Sequence, residues 1–238
     1  MPAATTAAWA LVPIKPFATA KTRLEGLLTR PECARLAEEM ARDVLRALYA
    51  APDISGIALL STEPKLAALA EGVTAGKTTR LYAEQDGEDY RAALGRVAAD
   101  LAAQGARHLL VVPADLPTLS SGDVQQLLEG HRGGVTVCRA AMDGGTNGLL
   151  LSPPTVIPFL YGTDSAERHL AAASAAGVAA RTADLTAFAR DVDSPDDVHW
   201  LLGQRVACAT LAWLKASGIT GRLKPRGQTS SESGQHVD

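Results

Sequence analysis

The sequence predicts an α/β domain in which a mostly parallel central sheet carries helices on both faces. Apolar runs of strand length alternate with segments of helical period through most of the 238 residues, which is the pattern of a parallel sheet with crossover helices. With 47% hydrophobic and 21% charged residues, the chain has the composition of one globular domain of generous size or of two small ones, and we expect one. We expect that single domain to span residues 1–221.

Seven apolar runs predict the strands. They are Ala8 to Ile14, Ile54 to Leu60, Arg80 to Ala83, His108 to Val112, Val135 to Arg139, Gly148 to Leu151 and a weaker Ala179 to Thr182. Helices are predicted where apolar residues recur every three or four positions and so share one face. This spacing occurs at Leu36, Met40, Val44 and Leu48, and again at Leu94, Val97 and Leu101.

The last stretch of the chain divides into two parts. Residues 204–221 carry Val206, Leu211 and Leu214 and predict a helical extension of the domain. Residues 222–238 are polar and nearly devoid of large apolar side chains, so we expect a disordered tail there.

Charge, cysteine and histidine content narrow the classes of function. A net charge of −3 gives no support for binding to nucleic acid or to an anionic membrane. Three cysteines that lie far apart argue against a disulfide framework, and the five histidines lack the spacing of a zinc site. Without a signal peptide or an uninterrupted run of 18 apolar residues, a cytoplasmic protein is expected. Any metal in it should be a hard cation held by oxygen.

Asp115 is the first candidate site residue. It lies in PADLPTL, just after the buried run that stops at Pro113, and ligands of open α/β sheets collect at the carboxyl ends of the strands. An acidic residue at this point indicates a bound metal or substrate. The alternative is a turn aspartate that accepts hydrogen bonds from nearby backbone amides.

A second acidic cluster, DVDSPDD at residues 191–197, shifts the balance toward a metal. The Ser-Pro pair that starts at Ser194 predicts the beginning of a helix, and the two acids after it then belong to a first turn that faces the positive end of the helix dipole. Asp191 and Asp193 precede this cap and, in an extended segment, project on the same side. They are therefore free to bind a cation.

Three cations, Lys15, Lys21 and Arg23, follow the first strand in VPIKPFATAKTRL. A doubly wound fold receives phosphates at this loop and at the start of the helix after it. No glycine lies between Met1 and Gly26, so side chains rather than a glycine-rich backbone cradle would neutralise a triphosphate. A solvated basic loop is the alternative.

The segment MDGGTNGLLL predicts a contact with an anionic ligand. Its glycines lead to Thr146 and Asn147 just before a strand, and a glycine-rich turn that ends in a hydroxyl can close on an anion through backbone amides. The alternative is an ordinary hairpin turn.

The segment FLYGTDSAERHL predicts the start of a helix, because Asp164 and Glu167 have the spacing of a capping box. The first free amides of that helix, with Gly162, Ser165 and Arg168 nearby, can hold a phosphate or a carboxylate. The alternative is an ordinary cap with surface side chains. His169 has no partner that the sequence shows, so the sequence supports no catalytic role for it.

Taken in order, VPIKPFATAKTRL, VPADLPTL, GTNGLLL, YGTDSAERH and DVDSPDDV resemble the 2-phospho-L-lactate guanylyltransferase family of deazaflavin-coenzyme biosynthesis, which includes phosphoenolpyruvate and 3-phospho-D-glycerate guanylyltransferases. The resemblance spans about Trp9 to Leu202. It implies a Rossmann-like nucleotidyltransferase that uses GTP and Mg²⁺, transfers GMP to the phosphate of a small phosphorylated three-carbon acid and releases pyrophosphate.

The resemblance also implies roles for site residues. The metal would be bound by Asp115, Asp191 and Asp193, and the phosphorylated acid would be held by Thr146, Gly162 and Ser165. The choice among the three acids stays open, and a homodimer is compatible with the pattern.

One segment departs from the family pattern. Before AAL, similar proteins tend to carry a glycine-rich stretch that ends in Leu-Asn, whereas this chain has QDGEDYR from Gln85 to Arg91. Base or acceptor contacts are expected there, so both choices stay open. The alternatives are another nucleotidyltransferase of the same fold, of the molybdopterin or sugar-phosphate type, and a nucleotide-binding module without catalysis. The former typically has a glycine-rich loop at the first strand, which is absent here.

Overall fold

A single sheet organises the protein, of which the computed structural model describes residues 8–73 and 76–223. The strands of the described residues are β1 Ala8–Pro13, β2 Ile54–Leu60, β3 Thr78–Tyr82, β4 Leu109–Val111, β5 Gly134–Arg139, β6 Thr146–Ser152 and β7 Ala180–Thr182. They lie in the order β3-β2-β1-β4-β6-β5-β7. Only β6 runs against the others in this sheet, so the predicted mostly parallel sheet is confirmed.

Helices cover both faces of the sheet. In the described part of the chain they are α1 Arg30–Ala50, α2 Leu66–Glu71, α3 Tyr90–Ala103, α4 Ser121–Gly130, α5 Ser165–Ala175, α6 Pro195–Leu202 and α7 Ala209–Ala216. Alternate residues of a strand face opposite sides: Val12 of β1 packs in one core with α1 and α4, and Leu11 packs in another with α3 and α5. None of the helices described is long and apolar enough to cross a membrane.

The sequence predicted most of these elements. All seven predicted strands are present, and β2 has the predicted bounds. The two apolar stripes lie on α1 and α3, where their residues are buried. The glycine-rich segment before Thr146 is the turn of the antiparallel β5–β6 hairpin, so the hairpin alternative describes its backbone.

Two local predictions need correction. Helix α5 begins after Asp164 as predicted, but the capping box does not form, because Asp164 adopts a left-handed conformation with φ 52° and its side chain makes no capping hydrogen bond. Glu167 instead pairs with Arg139 across 2.6 Å. In the C-terminal extension, the α-helix is shorter than predicted and covers only Ala209–Ala216.

The extension is packed against α1. The buried carboxylate of Asp43 accepts hydrogen bonds from the amides of Ala209 and Thr210 at 2.9 and 2.8 Å, which satisfies free donors at the start of α7. Past α7, Arg222 pairs with Glu32 of α1 at 2.6 Å. Most of the predicted disordered tail, residues 224–238, lies outside the described residues.

A third apolar core connects this extension to the basic loop after β1 and to the acidic segment at residues 191–197. It includes Leu24, which follows the basic loop, Val192, which lies within the acidic segment, and Leu214 of α7. All three side chains are fully buried. The extension therefore helps to hold two loops that carry predicted site residues.

Candidate active site

The two acidic segments meet at the carboxyl ends of the central strands. Asp115 follows the end of β4 by four residues, and its backbone carbonyl accepts a hydrogen bond from the amide of Val192 at 3.1 Å. Because the Val192 side chain is buried, its two acidic neighbours in sequence are held at the surface of the crevice. This backbone hydrogen bond and the buried Val192 side chain thus hold together two segments that are far apart in the sequence.

Asp115, Asp191 and Asp193 form a compact group of carboxylates. One oxygen from each lies within 4.8 Å of the others, and the Oδ1 atom of Asp115 is buried and finds no hydrogen-bond partner among residues 8–73 and 76–223. Burial and then the charge of Asp115 raise the pKa of Asp191 above its ordinary value. Three oxygen donors with an unsatisfied buried atom fit a hard divalent cation such as Mg²⁺.

Lys21 places its ammonium group among these carboxylates. Its Nζ atom lies 2.7 Å from Asp115 and 2.5 Å from Asp193, and only 7% of the side chain is exposed. Burial by itself would lower the pKa of Lys21, but the two carboxylates outweigh this effect and raise it. The backbone of Lys21 is left-handed, with φ 57°, which is unusual for a residue with a Cβ. Lys21 therefore compensates charge inside the group.

The other two predicted cations lie farther out. Arg23 is 79% exposed and its Nη1 atom lies 4.0 Å from Asp193. Lys15 is exposed and lines a cavity of about 610 Å³ together with Lys21, Tyr90, Asp115 and Asp193. This cavity is large enough for a nucleotide, and Lys15 and Lys21 are the cations among its lining residues.

Beside the acidic group of Asp115, Asp191 and Asp193, Thr146 and Ser165 are in contact. The Ser165 hydroxyl donates to Oγ1 of Thr146 at 3.0 Å, and Nδ1 of His169 lies 3.1 Å from the same oxygen. All three side chains are buried. The hairpin end of β6 and the first turn of α5 therefore form one polar cluster, here called the Thr146 cluster.

The tautomer of His169 follows from its second contact. The amide of Leu160 donates to Nε2 at 2.9 Å, so the proton of the neutral ring must lie on Nδ1 and point at Thr146. Thr146 then accepts from both His169 and Ser165, and its own hydroxyl proton is directed away from them. His169 thus orients a predicted substrate-binding hydroxyl.

His169 makes stability depend on pH. Burial, followed by the charge of Arg168, lowers its pKa to about 4, whereas an unfolded histidine has a pKa near 6.5. As pH falls from about 6.5 toward 4, the unfolded chain binds a proton that the folded protein does not, so stability is lost in that window by up to about 3 kcal/mol.

Urea unfolding at pH 7.0 and pH 4.5 measures this effect. His169→Gln should lose less unfolding free energy between the two pH values than the wild type does. Some loss will persist, because burial and His108 also lower the pKa of His131 to about 4. An equal loss in variant and wild type would contradict the assignment to His169.

The remaining predicted residues lie around this cluster. Asn147 is buried and donates from Nδ2 to Asp191 at 3.3 Å, so it contacts a carboxylate of the acidic group. Gly162 is exposed, with φ 122°, and Arg168 approaches it from α5. The predicted acceptor residues therefore border the predicted metal ligands through the adjacent pair Thr146 and Asn147.

Comparison with known protein families identifies the family of this chain. The model of the family described as "Guanylyl transferase CofC like" matches residues 8–232. The chain belongs to this family. Members of the CofC-like family with similar sequences include a phosphoenolpyruvate guanylyltransferase of Conexibacter woesei, 36% identical over 81% of this chain and 86% of that protein. A 3-phospho-D-glycerate guanylyltransferase of Colwellia psychrerythraea is 40% identical over 39% of this chain and 44% of that protein.

Solved structures agree on the fold of this CofC-like protein. A protein described as a nucleotide-diphospho-sugar transferase from Desulfovibrio desulfuricans G20 superposes with a TM-score of 0.74 at 18% identity, over 90% of this chain and 97% of the other. A 4-diphosphocytidyl-2C-methyl-D-erythritol synthase from Anaerococcus prevotii gives a TM-score of 0.56 at 8% identity, over 89% and 97%. The predicted Rossmann-like nucleotidyltransferase fold is confirmed, and the family makes this chain a nucleotidyltransferase.

Sequence reasoning missed one partner in this CofC-like site. His169 was given no role, although Ser165 and His169 are four residues apart and so share one face of α5. That spacing was a usable signal, because it places the imidazole over the same end of the helix as the predicted substrate-binding serine.

Proposed function

We propose that this protein transfers GMP from GTP to the phosphate of a small phosphorylated three-carbon acid, with release of pyrophosphate. The acceptor is phosphoenolpyruvate, 2-phospho-L-lactate or 3-phospho-D-glycerate, and the reaction serves deazaflavin-coenzyme biosynthesis in the cytoplasm. The observation that carries the proposal is the convergence of Asp115, Asp191 and Asp193 between a cation-lined cavity and the Thr146 cluster. The names of the relatives support the base and the acceptor class.

The reaction requires positioning more than proton transfer. An oxygen of the acceptor phosphate forms a bond to the α-phosphorus of GTP, and the bond from that phosphorus to the bridging oxygen of the leaving pyrophosphate breaks. The attacking oxygen is anionic near neutral pH, so no general base is needed. Orientation of the two anions and neutralisation of their charge supply the catalysis.

The nucleotide side of the proposal uses the acidic group and the basic loop. Asp115, Asp191 and Asp193 would hold Mg²⁺, which when bound neutralises charge on the α-phosphate. Lys15, Lys21 and Arg23 would bind the triphosphate. Lys21 would leave the carboxylates for the phosphates, because the cation and the ammonium group compete for the same oxygens.

The acceptor side uses the start of α5. The first amides of this 11-residue helix are suited to an anion, and Thr146 and Ser165 lie beside them. Arg168 adds a positive charge to this place. The acceptor would therefore be held on the side of the acidic group that faces away from the basic loop.

Pyrophosphate release tests the proposal. GTP, ATP and CTP are each combined with the three acids, and pyrophosphate should appear only with GTP and one of the acids, with the guanylylated product seen by mass spectrometry or trapped by the next enzyme. Release with a molybdopterin or a sugar phosphate instead would favour another nucleotidyltransferase. Absence of release with every combination would indicate a module without catalysis.

Thr146→Val tests the acceptor side. It removes the hydroxyl and keeps the shape, so KM for the acid should rise roughly tenfold, as expected for one lost hydrogen bond to a charged group, while KM for GTP stays unchanged. Thr146→Ser, which retains the hydroxyl, is the matched control. If KM for the acid is the same in both variants, Thr146 does not bind the acceptor.

A further inference from the structure

Two arginines converge on Gly162 at the edge of the Thr146 cluster. The Nη2 atom of Arg168 lies 3.0 Å, and that of Arg91 3.6 Å, from the position that a Cβ atom on Gly162 would occupy. A side chain at 162 would therefore press on the Arg168 guanidinium group, whereas the Arg91 distance is an ordinary van der Waals contact, and the positive φ of 122° also favours glycine. The backbone is shaped to leave space between two positive charges.

The two guanidinium groups are not neutralised by the protein. Among the described residues, no acidic side chain forms an ion pair with Arg91 or Arg168. Within the described part of the chain, the buried Nε atom of Arg168 has no hydrogen-bond partner. The two positive guanidinium groups repel each other at this short distance. An anion bound between them would remove this repulsion and accept hydrogen bonds from their free N–H groups.

Arg91 is fixed in place from the other side. Its Nε atom donates to the carbonyl of Tyr161 at 3.1 Å, which leaves the terminal nitrogens for a ligand. Its neighbour Tyr90 packs edge-on against Tyr161, with ring centroids 5.7 Å apart, and also lines the nucleotide-sized cavity. Helix α3 therefore presents Arg91 between that cavity and the start of α5.

We propose that Arg91 and Arg168 form a clamp for the carboxylate of the acceptor, and that Arg91 is a specificity-determining residue of this protein. The inference rests on the proposed function and deepens it. The acceptor has two anionic groups, of which the phosphate must face the acidic group for transfer. The clamp adjoins the start of α5, where Arg168 follows Ser165 by three residues, and the carboxylate of the same molecule would lie there. Paired guanidinium groups match a carboxylate in geometry and charge.

The test compares each acid of the panel with its carboxamide, which keeps the shape and removes the charge. The wild type should use the acid at least tenfold better in kcat/KM, as expected for a charge-assisted hydrogen bond. Arg91→Gln, Arg168→Gln and the double variant should reduce this preference stepwise toward one, mainly through KM for the acid, with KM for GTP unchanged. Arg91→Lys keeps the charge without the fork and should fall between wild type and Arg91→Gln.

Arg107→Gln is the matched control. Arg107 is an exposed arginine just before the amino end of β4, whereas the site lies at the carboxyl ends of the strands. It should leave the preference unchanged. Thermal unfolding of every variant checks the fold, and calorimetric titration of the acids in the presence of Mg²⁺ and a non-hydrolysable GTP analogue gives the same comparison without turnover.

The results of these experiments distinguish a failure of the proposed clamp from a failure of the proposed GMP transfer. If the wild type transfers GMP but Arg91→Gln keeps the full preference for acid over carboxamide, or loses GTP affinity instead, the clamp is wrong and the proposed function stands. If the wild type transfers GMP to none of the acids and the titrations show no binding, both are wrong.

Discussion

Asp115→Asn should lower guanylyl transfer by roughly 10³-fold or more without unfolding the protein. The substitution keeps the shape of the side chain and removes one of three negative charges that converge within 4.8 Å. A bound cation contributes several kcal/mol of transition-state stabilisation, and about 4 kcal/mol corresponds to 10³-fold in rate. Steady-state transfer at saturating Mg²⁺ measures the loss, and thermal unfolding measures the fold.

Asp196→Asn provides the matched control. Asp196 lies exposed in the first turn of α6, close in sequence to Asp193 but explained by the helix dipole. It should retain near-normal transfer. Full turnover of Asp115→Asn in Mg²⁺ would remove Asp115 from the metal site and would undermine the proposed function at its main observation.

Lys21→Met should weaken transfer and strengthen metal binding at the same time. Transfer should fall by about 10²- to 10³-fold, the usual loss when one preorganised donor to developing charge is removed. In the absence of nucleotide, however, Mg²⁺ should bind more tightly, because the ammonium group no longer competes for Asp115 and Asp193. Without metal the variant should unfold at a lower temperature, since two unit charges about 4 Å apart repel by roughly 4 kcal/mol at an effective dielectric near 20.

Lys15→Met separates the two effects. Lys15 lines the same cavity but forms no ion pair with a carboxylate among the described residues, so its replacement should weaken transfer without changing metal affinity. Mg²⁺ titration followed by calorimetry or thermal shift gives the metal affinity of both variants. Metal binding that is equally tight in Lys21→Met and wild type would show that Lys21 does not occupy the carboxylates in solution.

Much of the fold followed from the sequence because strand and helix patterns are local. Each strand is an apolar run, and the stripe from Leu36 to Leu48 has the period of a helix. The helix start predicted at Ser194 is confirmed, with Ser194 as the N-cap and two acids in the first turn of α6. The capping box at Asp164 did not form, because the turn before α5 forces Asp164 into a left-handed conformation. The spacing of two residues shows that a capping contact is possible, and tertiary packing determines whether that contact forms.

The candidate site followed from the sequence only in part. The positions of the acids relative to strand and helix ends are enough to separate Asp191 and Asp193 from Asp196 and Asp197. The contacts of Lys21 with the carboxylates and of His169 with Thr146 were not predictable. These contacts join residues that are far apart in the sequence, and a local pattern of residues does not predict which distant segments will meet.

The sequence by itself determined the seven strands, the apolar stripes of α1 and α3 and the starts of α5 and α6, because apolar periodicity, prolines and caps act within a few residues of one another. The tertiary structure alone decided the strand order, the docking of the C-terminal extension on Asp43, and the approach of Arg91 to Arg168 across Gly162. These features depend on how whole sheets and helices pack against one another. The apolar face of each helix or sheet is covered by elements that lie far away in the sequence.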